Sequence, residues 1–548
     1  MYVDVSRSIQ YGKTYTRYLL RESYRENGKV KQRTVGNISH CSPEEIQAFK
    51  FALKHKDNIT DILNSGKEIR SHQGLSVGAV FSLYRTAHDL GIVKALGNTE
   101  EAKRSLWMII ARLIEPGSRM ANVRLAQRHA AVDTIGMADF NEDILYDAMD
   151  WLEENQSSIE KRLFKHRYGE KKPLLYLYDV TSSYLEGGKN EYADFGYNRD
   201  KKKGKKQIVV GLLTDEDGWP ISIEVFKGNT SDVKTFSSQV KKLASDFGCE
   251  SVTMVGDRGM IKTDQIADLS DHQFYYITAT TKSQIETLLK EKVIQLELFT
   301  EKLCEIDNNG IRYILRKNPV RAKEIETSRN GKVEKIKNIV DERNKYLSEH
   351  PRADVSTALS LANEKIEKLN ISGFTSIEVS GRILTVKIDE NALNEESYLD
   401  GCYVIRSNLP VDHGEMETIH ERYKDLANVE WAFRTMKSDE IDLRPVNVRK
   451  KQRTRAHAII VMLAYTIEKQ LREKWKDINI TVKEGINELS SINCITIEMG
   501  AVTYNQIPEP RELGSQLLAA LSVTLPKAIP NSGIKVSTRK KLETKRKK

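Results

Sequence analysis

Two apolar runs that each lead into an aspartate constrain this chain more than any other feature. Leu174–Tyr178 (LLYLY) precedes Asp179, and Val252–Gly256 (VTMVG) precedes Asp257. An unbroken apolar run of this length reads as a strand buried on both faces of a central sheet. A carboxylate at the end of such a strand is costly unless something neutralises it. Carboxylates on neighbouring strands also repel, which raises each other's proton affinity. Bound divalent metal removes both penalties, and oxygen-only donors favour Mg2+ or Mn2+ over zinc. A third acidic block, Tyr423–Lys437 (YKDLANVEWAFRTMK), reads as a helix that offers Glu430 from its middle. Tyr423, Glu430 and Lys437 recur every seven residues, nearly two helical turns, so they share one face with Arg434. Together the blocks suit metal-held chemistry on a phosphodiester.

The order of elements between these blocks predicts an α/β fold. Leu174–Val180 reads as a strand, and Gln207–Thr214 and Trp219–Phe226 as a hairpin around an Asp-Glu-Asp-Gly turn. A helix over Ser231–Phe247, a strand over Ser251–Gly256, a short helix and a strand over Gln273–Ala279 follow. Strand, hairpin, helix, strand, helix, strand is the order of an RNase H-like catalytic core. We therefore expect this core in two parts, residues 171–281 and 419–475, interrupted by a large insertion domain over 282–418. Ahead of it, residues 1–72 read as an N-terminal β-hairpin segment around Glu26-Asn27-Gly28, and 73–170 as a helical, DNA-binding domain. Residues 476–548 read as a helical C-terminal region with a disordered basic tail.

Composition narrows the class. With 39% hydrophobic and 30% charged residues, most of the 548-residue chain is expected to fold as soluble protein. No apolar run approaches the roughly 18 residues of a membrane span, and the N-terminus has no apolar signal-peptide core. Five scattered cysteines without a CxxC pair point to reduced thiols in a cytoplasmic protein. The net charge of +9 is a weak argument for nucleic acid, because Arg539–Lys548 carries seven cations against one glutamate. Local clusters argue better. Lys201, Lys202, Lys203, Lys205 and Lys206 follow the first strand. Arg449, Lys450, Lys451, Arg453 and Arg455 follow the Glu430 helix. Both sets, with Tyr423, Arg434 and Lys437, are candidate contacts to DNA phosphates. His457 and Trp431 read as packed side chains.

These motifs resemble those of the DDE transposases of bacterial insertion sequences. The chain is similar in particular to the insertion sequence family four superfamily, whose last block is Tyr-x2-Arg-x3-Glu-x6-Lys. Tyr423, Glu430 and Lys437 stand at those spacings, Asp179-Val180-Thr181 resembles its Asp-x-Thr, and Asp257-Arg258-Gly259-Met260 its second block. Leu426 occupies the family's arginine position, which leaves Arg422 or Arg434 to replace that phosphate contact. The resemblance implies an RNase H-like core with a β-rich insertion and Asp179, Asp257 and Glu430 as catalytic metal ligands. It also implies two Mg2+ or Mn2+ ions and double-stranded DNA as partner, both transposon ends and target. A homodimer on DNA and a cytoplasmic, nucleoid-associated enzyme are expected. Rival readings are another RNase H-fold metal nuclease or resolvase, an inactive DNA-binding derivative, and a phosphatase. The last lacks the second aspartate, because Thr181 stands two residues after Asp179.

Overall fold

The computed structural model describes residues 1–10, 13–26, 28–56, 69–499 and 502–534. The basic tail Arg539–Lys548 and Asn27 of the hairpin turn lie outside the described residues. The chain divides into two compact units, residues 86–119 with 142–473, and residues 1–85 with 120–141 and 474 onwards. No described helix is long and apolar enough to cross a membrane.

The larger unit is built on one eight-stranded mixed sheet. Leu175–Tyr184 lies at its heart, antiparallel to Gln207–Asp215, which pairs with Pro220–Lys227. On its other side it is parallel to Thr253–Gly256, which is in turn parallel to Tyr275–Ala279. These are the five strands read from the sequence, in the order expected of an RNase H-like core. One face of the sheet presents Tyr176, Tyr178, Val180, Val209, Leu213 and Met254 to Phe236, Val240 and Leu269 from the helices Asp232–Lys241 and Thr263–Asp271. Alternation along a strand turns Leu177, Asp179, Thr181 and Val255 to the opposite face.

The insertion corrects the expected boundary. Three strands within 282–418 do not leave the core but extend its sheet, in the order Cys304–Asn308, Ile311–Lys317, Cys402–Ser407, Tyr275–Ala279. Residues between Lys317 and Cys402 form a lobe with its own apolar centre, while Ile285, Ile294, Phe299, Leu315 and Val404 make a second cluster against the added strands. In the lobe the long helix Pro319–Glu349 packs Val333, Ile336, Val340 and Leu347 against Ala358, Ala362 and Ile366 of Val355–Leu369. A hairpin, Thr375–Ser380 with Ile383–Ile388, closes it.

Three further expectations change. The N-terminal hairpin is a three-stranded sheet, because Tyr2–Gln10 pairs with Lys13–Glu26 beside Lys29–Asn37. Residues 73–170 are not one helical domain. The helices Glu100–Ile114, Glu142–Glu154 and Gln156–Tyr168 belong with the larger unit, whereas most of Gly78–Asp89 does not. Beyond 476 the chain is not all helix. Asn493–Met499 and Val502–Gln506 form a sheet with Ile69–Ser76.

Candidate active site

Strand register brings the two aspartates together. The parallel ladder pairs Leu175 with Thr253 and ends on Tyr178 with Gly256. The next residues on each chain are Asp179 and Asp257, so the register leaves them as neighbours just beyond its last pair. Asp179 is not a strand end, as the sequence suggested. It is the fifth of ten residues, because Val180–Ser183 continue the pairing with Gln207–Asp215. Asp257 does end its strand. Its Oδ1 accepts from the backbone N–H of Arg258 at 2.7 Å, and Gly259, at φ +81°, turns the chain away.

Glu430 comes from the helix Leu426–Met436, whose Val429, Ala432, Phe433 and Met436 are buried. That helix packs on Leu175–Tyr184, the strand that carries Asp179. The single helix expected over Ile419–Lys437 is interrupted at Asp425, which separates Met416–Lys424 from Leu426–Met436. Aspartate is a poor helix former because its side chain competes for nearby backbone groups. Tyr423 therefore sits at the end of the first segment, where its hydroxyl donates to Asp257 Oδ1 at 3.4 Å.

The electrostatics report the proximity of all three carboxylates. Asp179 holds its proton up to about pH 7, first because it is buried and then because Asp257 and Glu430 add like charge, while Arg199 opposes them. Burial, Asp257 and Glu430 likewise push the Tyr423 hydroxyl well above its ordinary value. Among the described residues, no group of three or more His, Cys, Asp or Glu is gathered tightly enough to hold a metal ion. The donor set nevertheless fits Mg2+ or Mn2+: three carboxylates, no nitrogen or sulfur, and one oxygen acid destabilised as an anion.

The candidate DNA contacts divide by environment. Lys201, Lys202, Lys203 and Lys205 are exposed, Lys205 paired with Glu186 at 2.7 Å, and Lys206 is half-buried near the Phe195 ring. Arg449, Lys450 and Lys451 are exposed. Arg453 instead grips Asp150 with two nitrogens at 2.9–3.2 Å, and Arg455 pairs with Glu153 at 2.8 Å. Arg434 is exposed, with its guanidinium 5.5 Å from the Trp431 ring centre. Trp431 is not packed as expected; it is 49% exposed, because its neighbours Ala432 and Phe433 supply the buried face. Leu426 is buried, and Arg422 lines a cavity of about 770 Å³ with Arg167, Asp215, Asp217 and Trp219. His457 is buried as expected, its imidazole pushed down to about 3 by burial and by Arg112 and Arg119.

Lys437 is held by a residue that sequence reasoning missed. Its ammonium donates to Asp200 Oδ1 at 2.8 Å, and Arg444 donates to the same oxygen at 2.6 Å. The only signal was an acid, Asp200, within the basic run Arg199–Lys206.

Residues 170–467, which hold all three carboxylates, match the family model described as the transposase DDE domain. Residues 3–66 match the model of the IS1634 family transposase, N-terminal domain. No curated protein matches the chain. Among solved structures, it is similar to a chain of the cryo-EM structure of the piggyBac transposase synaptic complex with hairpin DNA. The identity is 10% and the TM-score 0.35, over 75% of this chain and 78% of that one.

Proposed function

Because this chain belongs to the transposase DDE domain family, we propose that it binds the inverted-repeat ends of an insertion sequence, cleaves there and joins the element to target DNA. The observation that carries this reading is the strand register that leaves Asp179 beside Asp257, with the Glu430 helix packed on the strand that carries Asp179. Three carboxylates on adjoining elements that repel one another are unfavourable for a purely structural role. A pair of Mg2+ or Mn2+ ions, when bound by Asp179, Asp257 and Glu430, would activate water or a 3′-hydroxyl and stabilise the leaving 3′-oxygen.

The protein's own groups do the rest. Tyr423 keeps its proton and donates a hydrogen bond to Asp257, which orients that carboxylate. Arg199, anchored to Asp232 at 2.6 Å, moderates the negative potential at Asp179. The exposed lysines at 201–205 and cations at 449–451 would track DNA phosphates. Tyr423, Glu430 and Lys437 at seven-residue spacing support membership of the Tyr-Arg-Glu-Lys subclass. Joining requires two ends to meet, which a homodimer on DNA supplies.

The test compares Asp179→Asn, Asp257→Asn and Glu430→Gln with the parent in a gel shift and a cleavage assay with Mg2+. Each variant should keep end binding and lose cleavage and joining. Full cleavage by any one would remove that residue from the site.

A further inference from the structure

Asp200 is a buried carboxylate, with 1% of its side chain exposed, although it lies in the basic run. Besides Lys437 and Arg444 on Oδ1, its Oδ2 accepts from the backbone N–H of Tyr184 at 3.1 Å. Arg444 Nε donates in addition to the backbone carbonyl of Lys437 at 3.3 Å. Four segments thus meet on one side chain: the end of the Asp179 strand, the C-cap of the Glu430 helix, the loop that follows it and the basic run.

The stoichiometry is what a structural bridge does not explain. Two cations on one carboxylate leave one positive charge uncompensated in a half-buried place, which opposes stability. Donors are also left over. Lys437 uses one of three N–H groups on Asp200, and Arg444 uses only Nε and Nη1 among the described partners. Arg444 is 36% exposed, so its side chain reaches solvent. The position at a helix C-terminus favours cations and so helps hold them there.

We propose that Asp200 is a positioning residue that holds Lys437 and Arg444 as a two-cation site for one backbone phosphate of DNA, beside the Glu430 helix. The inference rests on the DNA-joining reading above but names residues outside its carboxylate set. Asp200 never touches the phosphate. It fixes the two donors so that their free N–H groups converge, and Arg444 supplies the planar edge suited to phosphate oxygens.

The experiment uses the full chain and a duplex bearing the transposon end, with affinity measured at several salt concentrations and cleavage analysed for KM and kcat. Arg444→Ala should weaken binding about tenfold, lower the salt slope by roughly 0.9, and raise KM more than it lowers kcat. Asp200→Asn should raise KM and lower kcat together, and Asp200→Glu should restore part of both. Should Asp200→Asn fail to fold, shown by circular dichroism, Arg444→Ala still decides. An unchanged salt slope and KM in Arg444→Ala, with the parent active, overturns the site while the joining reading stands. A parent that neither binds nor cuts DNA overturns both.

Discussion

Asp179→Asn should stabilise the metal-free protein at pH 8 and leave it unchanged near pH 4. The carboxyl's pKa rises from 3.8 unfolded to about 7 folded. Between those values the folded chain keeps a proton that the unfolded chain has released, so stability falls as pH rises through this window. Above pH 7 the loss is complete. At 1.36 kcal/mol per unit, its ceiling is about 4 kcal/mol. Water reaching the partly buried carboxylate reduces this, and about 2 kcal/mol is a working figure. Asparagine has the same shape and never ionises, so it escapes the penalty. Thermal unfolding in EDTA from pH 5 to 8 reads the effect. The transition of the larger unit should shift upward on the order of 5 °C at pH 8, at 2–4 °C per kcal/mol, and the shift should shrink steadily toward pH 5, which already lies inside the titration window. Mg2+ should then stabilise the parent at pH 8, by about 2.7 kcal/mol at a hundredfold excess over Kd, and the variant far less. Parallel stability curves for parent and variant across the pH range would refute the burial and like-charge account of Asp179.

Other perturbations separate DNA contacts from structural ones. Arg434→Ala should lower the salt slope of end binding by roughly 0.9, since Arg434 is exposed beside Trp431 and has no described ion pair with Glu430; an unchanged slope assigns it to the ring alone. Arg453→Ala should instead leave the salt slope untouched and destabilise the fold by about 1–3 kcal/mol, measured by denaturant unfolding, because it strands Asp150. Trp107→Ala, which empties a fully buried site, should cost about 3–5 kcal/mol without altering end affinity in the folded fraction.

The aspartate-bearing strands were legible because their signals are local. Leu174–Tyr178 and Val252–Gly256 are too apolar to be anything but central, and each carries its aspartate in the adjoining position. Glu430 was legible through its spacing to Tyr423 and Lys437. What escaped was decided by pairing across long sequence separations. The Lys437–Asp200 contact spans 237 residues, and no local pattern announces it. Ile69–Ser76 becomes a strand because Asn493–Met499 arrives beside it. The basic run after Arg449 looked uniform, yet Arg453 and Arg455 meet acids of the helix Glu142–Glu154 while Arg449–Lys451 do not. Charge along a sequence does not reveal which cations are already spoken for.

The helical lobe enters and leaves the sheet through one register pair, and beside that neck Leu399 joins the apolar cluster of Ile285 and Phe299 while Lys282 pairs with Glu396 at 3.4 Å. Lys317 and Cys402 are register partners at the adjoining ends of antiparallel strands, and Asn318 N–H bonds to the Gly401 carbonyl at 2.8 Å. A tight turn can span the same gap. The ends of the lobe can therefore be rejoined without breaking the strand ladder, at the cost of the Leu399 and Glu396 contacts. Replacing residues 318–401 by such a turn would keep all eight strands in register, whereas excising 282–418 would strip three strands and bare the edge of Tyr275–Ala279, one strand from Asp257. Evolution, or an engineer, can exchange what the lobe touches without rebuilding the sheet that positions the carboxylates.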